Sequence, residues 1–361
     1  MENKDTMASE SKIVIHEASN IQVQQEPGMA SVIAVIGAFN STVTATTLCT
    51  SVRQAKEIFG ESTATTTFKG CDAVEFLFRG ASSLLVVNTT QWSDDETPVP
   101  STTITNQLLT DALTQLKGEE FDILFIAEEL TDPAQEIVTG FLAEEYTGKN
   151  PHGQISQLNR STASAYETSV SKYGDHIYYI NTQQIMMNGV TLDLNKSTAY
   201  ICGVIAGLNV GRSLTSKVIP EVTAITPEYT FGVGDLGSAL LDLSIPVLKC
   251  RSRVNREYIC VSSELPNKWD LYINRTRDYL VKTFALADYL GEINNNTTLT
   301  AITGECERLY KLFVEDLRLI KDLKYSVEKV SENCVDIYLD KMVFDGIITR
   351  IDVYINITVG E

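Results

Sequence analysis

The chain has 361 residues, 43% hydrophobic and 21% charged, which is typical of a folded protein with room for two domains. Its net charge of −18, from 29 basic and 47 acidic side chains, disfavours nucleic acid as the main partner. No apolar run is long enough for a membrane span, so we expect no membrane insertion. The first twenty residues are polar and lack the apolar core of a signal peptide, so we expect a chain folded in a cytoplasm.

The N-terminal segment 1–27 contains two short patterns in which apolar and polar residues alternate. Ile13 and Ile15 form the first pattern, and Ile21 and Val23 form the second. Such alternation predicts extended strands, and Pro27 with Gly28 closes the segment. We therefore expect an extended arm ahead of the first domain.

Segment 28–245 alternates continuous apolar runs with amphipathic helical patterns. The runs lie at 31–39, 83–88, 121–129 and 176–181, and the helical patterns at 52–60, 72–80, 105–118 and 132–146. Continuous apolar runs predict strands that are buried on both faces, and their alternation with helices predicts an α/β layer around a largely parallel sheet. Asp132 is expected to cap the last of these helices, with Pro133 at its first position.

The stretch Cys202–Pro220 contains three glycines, an arginine, a lysine and several hydroxyls, the residue types of a phosphate-binding loop. It matches neither G-x-x-x-x-G-K-[ST] nor G-x-G-x-x-G. Gly203, Gly207 and Gly211 recur every four residues, which places them on one helix face. We therefore predict a buried, close-packed helix that Ser197 caps and Gly211 ends. A nucleotide-binding protein or enzyme that uses residues 203–212 remains the alternative.

The residue pattern changes near residue 246, where we place a domain boundary. Residues 246–264 predict a strand pair, and 269–291 and 299–322 predict long helices, so we expect an α+β domain over 246–346. Two groups of arginines in this part are interpreted as solubilising surface charge or positive contacts for an acidic partner. They are Arg251, Arg253 and Arg256 on the strand pair, and Arg275 and Arg277 near a helix start.

The clearest single pattern in the sequence lies in the C-terminal segment 347–361. Five apolar residues alternate with polar ones there: Ile351, Val353, Ile355, Ile357 and Val359. A strand of period two has one apolar face that a sheet must cover. It either pairs within its own domain or completes the sheet of a neighbouring subunit, and the residues alone favour the first.

No pattern in the sequence predicts a catalytic or metal site. The three histidines, His16, His152 and His176, accompany no G-x-S-x-G motif, and we interpret each as structural or solvated. The acidic clusters at 93–96 and 128–132 lack EF-hand spacing, and we interpret them as solvated loops. Seven singly spaced cysteines predict reduced, mostly buried thiols. We expect no cofactor and no metal.

Taken in order, these segments resemble the contractile tail sheath family of myophages and related injection particles. The matching pieces are EPGMASVIAVIGAFN, QAKEIFG, DAVEFLFRGASSLLVVN, FDILFIAEELTDPAQEIV, YICGVIAGLNVGRSLTSKVIP, YINRTRDYLVKTFALADYLGEINNN, TLTAITGECERLYKLF and VDIYLDKMVFDGIITRIDVYINITV. Together they cover nearly the whole chain, and residues 146–175 match least well.

The resemblance implies a fold for each segment. Residues 28–245 would form a subtilisin-like α/β domain without a catalytic triad, and 246–346 an α+β domain that faces an inner tube. The arm 1–27 and the terminal strand 347–361 would join the sheets of neighbouring subunits, which reverses the preference stated above. Arg212 and Lys217, in the loop behind the small-residue helix, become candidate subunit contacts.

The resemblance also implies a function. The chain would be a structural protomer, not an enzyme, that polymerises as stacked hexameric rings around an inner tail tube and contracts to drive the tube through a host envelope. Its partners would be further copies of itself, the inner tube protein, and baseplate and tail terminator proteins, with neither nucleic acid nor a membrane involved. The protein would reside in the virion tail sheath after assembly in the cytoplasm of a bacterial host.

Overall fold

The computed structural model describes residues 31–93, 99–148, 150–252, 257–283, 296–331 and 334–344. Several predicted residues lie outside these ranges, namely His16, Arg253, Arg256, the arm residues Ile13, Ile15, Ile21 and Val23, and the terminal-strand residues Ile351, Val353, Ile355, Ile357 and Val359.

The first part of the chain alternates strands and helices as the apolar runs predict. The elements are β1 (Val32–Gly37), β2 (Thr47–Cys49), α1 (Val52–Phe59), α2 (Lys69–Leu77), β3 (Ser83–Asn88), β4 (Gln91–Trp92), β5 (Pro100–Ser101), α3 (Asn106–Leu116), β6 (Ile123–Ile126), α4 (Asp132–Thr147), β7 (Gly153–Gln157), α5 (Ala163–Val170), β8 (Ile177–Asn181), β9 (Gln184–Met187), β10 (Val190–Thr191), α6 (Leu194–Gly207), β11 (Val222–Thr226) and α7 (Leu236–Asp242).

The remaining described elements form the second part. They are β12 (Leu248–Ser252), β13 (Glu257–Cys260), α8 (Leu271–Thr283), α9 (Asn296–Tyr310), a π-helical segment (Lys311–Asp316), β14 (Asp322–Ser331) and β15 (Cys334–Val343). The predicted helix over 299–322 is therefore too long, because it ends at Asp316 and a strand begins at Asp322.

A six-stranded sheet with the order β2-β3-β1-β6-β7-β8 organises the first part. Its five longer strands run parallel, and only the short edge strand β2 is antiparallel to its neighbour. In the centre of the sheet, Val35 lies opposite Val86 of β3 and Phe125 of β6. The predicted mixed α/β class with a largely parallel sheet is confirmed.

Helices cover both faces of this sheet. Ile33 and Val35 point into a core that includes residues of α1, α2 and α6. Ala34 and Ile36 point the other way, into a core with α3 and α4. Because successive strand residues enter opposite cores, β1, β3 and β6 are apolar at nearly every position.

Two predicted helix caps are wrong. Thr131, not Asp132, caps α4, because its extended backbone lets its hydroxyl accept from Ala134 N at 3.4 Å. Asp193, not Ser197, caps α6 through Lys196 N at 2.8 Å, while Ser197 is buried within the helix. The helix α6 also ends before Gly211, because Leu208 already has an extended backbone.

No strand is predicted at the position of β7, because its sequence lacks the apolar run that marks β1, β3 and β6. All five of its residues are buried, and three of them are polar and bond to other elements. Gln154 exchanges two hydrogen bonds with Gln135 of α4, Ser156 bonds to Tyr173, and Gln157 donates to Asn195 of α6. Satisfied polar groups allow a polar strand to be buried.

The second part has a core of its own around α9, where Ile302, Leu309, Phe313 and Leu323 are buried together. The strand pair β12–β13, however, contributes Leu248 and Cys260 to the core beneath β1. The boundary between 245 and 246 stays a prediction.

Six described cysteines are free, and five of these are buried, as predicted. Within the described residues, the helices are too short or too polar to cross a bilayer.

Candidate ligand and assembly sites

The default ligand site of an open α/β sheet is the crevice beyond the carboxyl ends of the strands, where the strand order reverses. Here that crevice lies beyond β1, between β3 and β6. At the carboxyl end of β1, Ala127 and Gly70 pack closely against Gly37. A Cβ atom on Gly37 would lie 2.9 Å from Cβ of Ala127 and 3.1 Å from Cα of Gly70. Gly70 N, in the first turn of α2, donates to Ala38 O at 2.9 Å and so is not free for an anion.

The polar side chains around this crevice bond to the protein itself. Asn88 accepts from Phe39 N at 3.1 Å and donates to Ser41 O at 2.8 Å. Glu128 accepts from Lys69 at 3.0 Å and from Ile104 N at 3.0 Å. These bonds connect loops of the protein, so the side chains are not available to bind a ligand.

The glycines of the stretch Cys202–Pro220 pack against α2. A Cβ atom on Gly203 would lie 2.3 Å from Phe76 O. A Cβ atom on Gly80, just after α2, would lie 2.0 Å from Gly203 O and 2.6 Å from Gly207 N. The helical packing predicted from the spacing of four is confirmed for Gly203 and Gly207. Their backbone faces another helix, so it cannot surround a phosphate.

The loop 208–217 behind α6 joins three parts of the molecule. A Cβ atom on Gly211 would lie 2.4 Å from the Leu319 side chain, so the loop touches the turn before β14. Ser213 and Thr215 donate to the buried carboxylate of Asp270, at 3.1 and 3.2 Å. Arg212 is exposed and pairs with no described acidic side chain, and Lys217 is half-buried. Their role as subunit contacts stays a prediction.

Arg275 and Arg277 are not surface charges, as the sequence suggested, but buried anchors of α8. Arg275 donates to Leu208 O, at the carboxyl end of α6, at 2.9 Å, where a cation is favoured by the helix dipole. Burial lowers the pKa of Arg275. No local pattern predicts this burial, because the partner is a main-chain carbonyl 67 residues away.

Arg277 forms the centre of a buried polar cluster between α8 and β8. Its guanidinium bonds to Asp278 at 2.8 Å and to Nδ1 of His176 at 3.1 Å. It also stacks on the rings of Tyr146 and Trp269, at 5.2 and 5.4 Å. Tyr178 donates to the other oxygen of Asp278 at 2.9 Å. Burial and the neighbouring Arg277 lower the pKa of His176.

His152 is structural and fully buried, although it lies in a polar stretch of sequence. Its ring stacks on Phe121 with 3.5 Å between centroids, and its Nδ1 donates to Phe121 O at 2.7 Å. Burial, with help from the charge of Lys282, lowers its pKa to about 3. The ring is therefore neutral, and Glu145 at 3.6 Å from Nε2 forms no ion pair with it.

The acidic cluster at 128–132 is bonded rather than solvated. Arg160 pairs with Glu129 and reaches Asp132 at 3.5 Å, and Ser169 donates to Asp132 at 2.9 Å. Across the described part of the chain, no group of three or more His, Cys, Asp or Glu side chains is arranged to hold a metal ion.

The hairpin β14–β15 forms a two-stranded sheet of its own among the described residues. Its two ten-residue strands pair from Asp322 opposite Val343 to Ser331 opposite Cys334. Within the described ranges neither strand pairs with a third one. One face of the hairpin packs on α9 through Leu323, Tyr325 and Val327. Long strands with free edges are templates for strand addition.

No protein-family model matches the sequence, and neither does any curated protein. Solved structures do match over almost the entire chain. A sheath tail protein of Desulfitobacterium hafniense has a TM-score of 0.66 at 13% identity, over 90% of this chain and 98% of that one. A sheath tail protein of Listeria innocua has a TM-score of 0.61 at 11% identity, over 88% and 96%.

A third similar structure is the helical sheath of the anti-feeding prophage in its contracted state. It has a TM-score of 0.61 at 12% identity, over 91% of this chain and 92% of that one. The chain therefore has the fold of these sheath proteins. The coverage extends well beyond the six-stranded sheet, so the likeness includes the second part of the molecule.

Proposed function

We propose that this chain is the structural protomer of a contractile tail sheath. One observation carries the proposal, namely the shared fold over 90% of this chain and 98% of the sheath tail protein of Desulfitobacterium hafniense. In this role the chain polymerises as stacked hexameric rings around an inner tube.

The α/β domain serves as a rigid scaffold in this proposal. It corresponds to the subtilisin-like domain of sheaths without the catalytic triad. Two features support a structural rather than a catalytic role. Ala127 and Gly70 pack closely against Gly37 at the carboxyl end of β1, and the glycines of α6 pack against α2. Assembly, and not turnover of a ligand, is the function these features favour.

Strands exchanged between neighbours connect the copies. Within the described residues, the hairpin β14–β15 pairs with no third strand, so strands of other copies can add to its edges. The candidates for added strands are the arm 1–27, with Ile13 and Ile15, and the terminal segment 347–361. The apolar residues of an added strand would extend the face of the hairpin that packs on α9.

Contraction then follows from a change in packing between connected copies. The sheath assembles in a metastable extended state, and copies slide and rotate to bury more surface while the exchanged strands keep them joined. Because packed interfaces are bistable, a trigger at the baseplate passes from ring to ring. Residues 246–346 face the inner tube, and the tail terminator closes the far end. Arg212 and Lys217 are candidate contacts between copies.

Substitutions in the terminal strand test the exchange of strands. Replacing Ile355 and Ile357 by Asp places charges on the apolar face, so we expect assembly into tubes to be lost while the subunit stays folded. Replacing Asn356 and Thr358 by Asp, on the polar face, should leave assembly unchanged. Negative-stain microscopy and circular dichroism measure the two properties.

Equal assembly by both double variants would contradict the strand exchange.

Calorimetric titration with ATP and GTP tests the alternative use of residues 203–212. We expect no heat of binding, and saturable heat that Gly207→Val abolishes would favour that alternative.

A further inference from the structure

The helix α8 docks on the rest of the chain through a polar face. Five consecutive residues of α8 are polar and buried, namely Asn274, Arg275, Thr276, Arg277 and Asp278. The other buried residues of the helix are Leu271, Tyr272 and Leu280. A buried polar group that loses its hydrogen-bond partner keeps its full desolvation cost. The docking of α8 therefore depends on the bonds that a few side chains make.

Two arginines of α8 bond to separate elements of the first part of the chain. Arg275 donates to Leu208 O, at the end of α6, at 2.9 Å. Arg277 bonds to Nδ1 of His176, just before β8, at 3.1 Å. A main-chain carbonyl does not titrate, whereas a histidine ring ordinarily takes up a proton between pH 5 and 8. The second bond is therefore the one that a change of pH can break.

The bond between Arg277 and His176 forms in only one protonation state of the ring. A guanidinium group has donors and no acceptor, so Nδ1 of His176 must accept the bond. The proton of the neutral ring is then on Nε2. A protonated ring carries N–H groups on both nitrogens and has no acceptor to offer. Protonation would thus replace the hydrogen bond with two positive charges that face each other.

The charged and titratable groups around His176 come from every element packed against it. They are Arg277 and Asp278 of α8, Asp175 of its own loop, Tyr146 of α4, whose ring lies 4.6 Å away, and His152 before β7. Asp278 already bonds to Arg277 and Tyr178, at 2.8 and 2.9 Å. Burial and the charge of Arg277 outweigh the two carboxylates, and they lower the pKa of His176.

A cavity of about 210 Å³ adjoins this cluster. His176 and Asp175 line it, together with Gln154 of β7 and Leu142 of α4. The volume is several times the roughly 30 Å³ that a water molecule occupies in the liquid. Because the ring of His176 is only half-buried, a proton reaches it through this cavity without unfolding of the chain.

We propose that His176 is a proton-sensitive latch that holds α8 on β8 while its ring is neutral and releases α8 when its ring is protonated. The latch goes beyond the proposed function and operates in a single copy of the chain. A ring that α8 no longer holds has a pKa of about 6.5. Between pH 7.5 and pH 5, protonation therefore favours the released state by up to about thirtyfold.

Hydrogen exchange of the unassembled full-length chain, followed by mass spectrometry, tests the latch. After correction for the intrinsic effect of pH, the amides of α8 should exchange about tenfold or more faster at pH 5 than at pH 7.5. The amides of α3, far from the cluster in the chain, should not. In the variant His176→Asn, the amide oxygen replaces Nδ1 as the acceptor and does not titrate, so α8 should exchange equally at both pH values.

Equal acceleration of α8 in the wild-type protein and in His176→Asn would overturn the latch, and so would unchanged exchange in the wild-type protein. His152 is present in both chains, so its own acid sensitivity cancels in the comparison.

A second measurement does not need the His176 variant to fold. In the variant Trp92→Phe, Trp269 is the only tryptophan of the chain, and its ring stacks on Arg277 at 5.4 Å. Its fluorescence emission should shift as the pH falls from 7.5 to 5, because release of α8 removes this contact. Constant emission over that range would overturn the latch.

Discussion

His152 shows how one buried side chain makes the stability depend on pH. Its ring is fully buried against Phe121, and burial lowers its pKa to about 3. In an unfolded chain the same ring has a pKa of about 6.5. Between pH 6.5 and 3 the unfolded chain therefore binds a proton that the folded chain does not, and the free energy of unfolding decreases as the pH falls.

Replacing His152 by Phe should reduce this acid sensitivity. The ring stays stacked, and Phe121 O keeps its bond from Lys282. The lost Nε2 atom has no hydrogen-bond partner in the described part of the protein. From pH 7 to pH 5, wild-type protein should lose about 2 kcal/mol more stability than the variant. Urea unfolding at both pH values measures the difference, and equal losses would contradict the assignment.

Gly80 is the residue at which the packing of α2 on α6 is tightest. Gly80→Ala would place a methyl group 2.0 Å from Gly203 O, so we expect a loss of at least about 2 kcal/mol of stability. Gly140→Ala is the matched control, because a methyl group there meets nothing within 4 Å and α4 gains a better helix former. It should stabilise by about 0.5–1 kcal/mol. Equal effects in thermal unfolding would refute the tight packing.

The element with the most buried charge is α8, which docks on β8 through Arg277 and Asp278. Arg277→Met would leave the carboxylate of Asp278 buried without its cation, and we expect a loss of about 3–5 kcal/mol. Arg53→Met serves as the control, since its pair with Glu57 is exposed. Such exposed pairs contribute only a few tenths of a kcal/mol. Chemical denaturation checks both, and a tolerated Arg277→Met would contradict the anchoring role.

Strands that bury apolar side chains could be predicted from the sequence. The strand that buries polar side chains could not. The strands β1, β3 and β6 are apolar at nearly every position because both faces enter a core. The strand β7 is equally buried, but its polar side chains find partners in α4 and α6. Those partners lie far away in the chain, so no local pattern marks them.

The same distinction applies to the candidate sites. The spacing of Gly203 and Gly207 predicted close packing because helical periodicity is local information. The burial of Arg275 and Arg277 depends on Leu208 O and His176, which only the tertiary fold brings near. The cap of α4 was predicted at the wrong residue for a simpler reason. The neighbouring residues Thr131 and Asp132 are both good helix caps, and the backbone angle selects between them.

Association between copies is the central feature of the proposed function for the whole molecule. The fold is shared with sheath proteins over about 90% of the chain, and within the described residues the hairpin β14–β15 pairs with no third strand. In the proposed sheath, contacts between copies repeat along the tube, and their sum would supply the free energy of contraction.

Electron microscopy of the purified protein tests whether copies of this chain assemble. We expect hexameric rings or hollow tubes with helical order, which form with no nucleotide or metal added. A monodisperse monomer at high concentration, with both terminal segments protected from proteases, would contradict it.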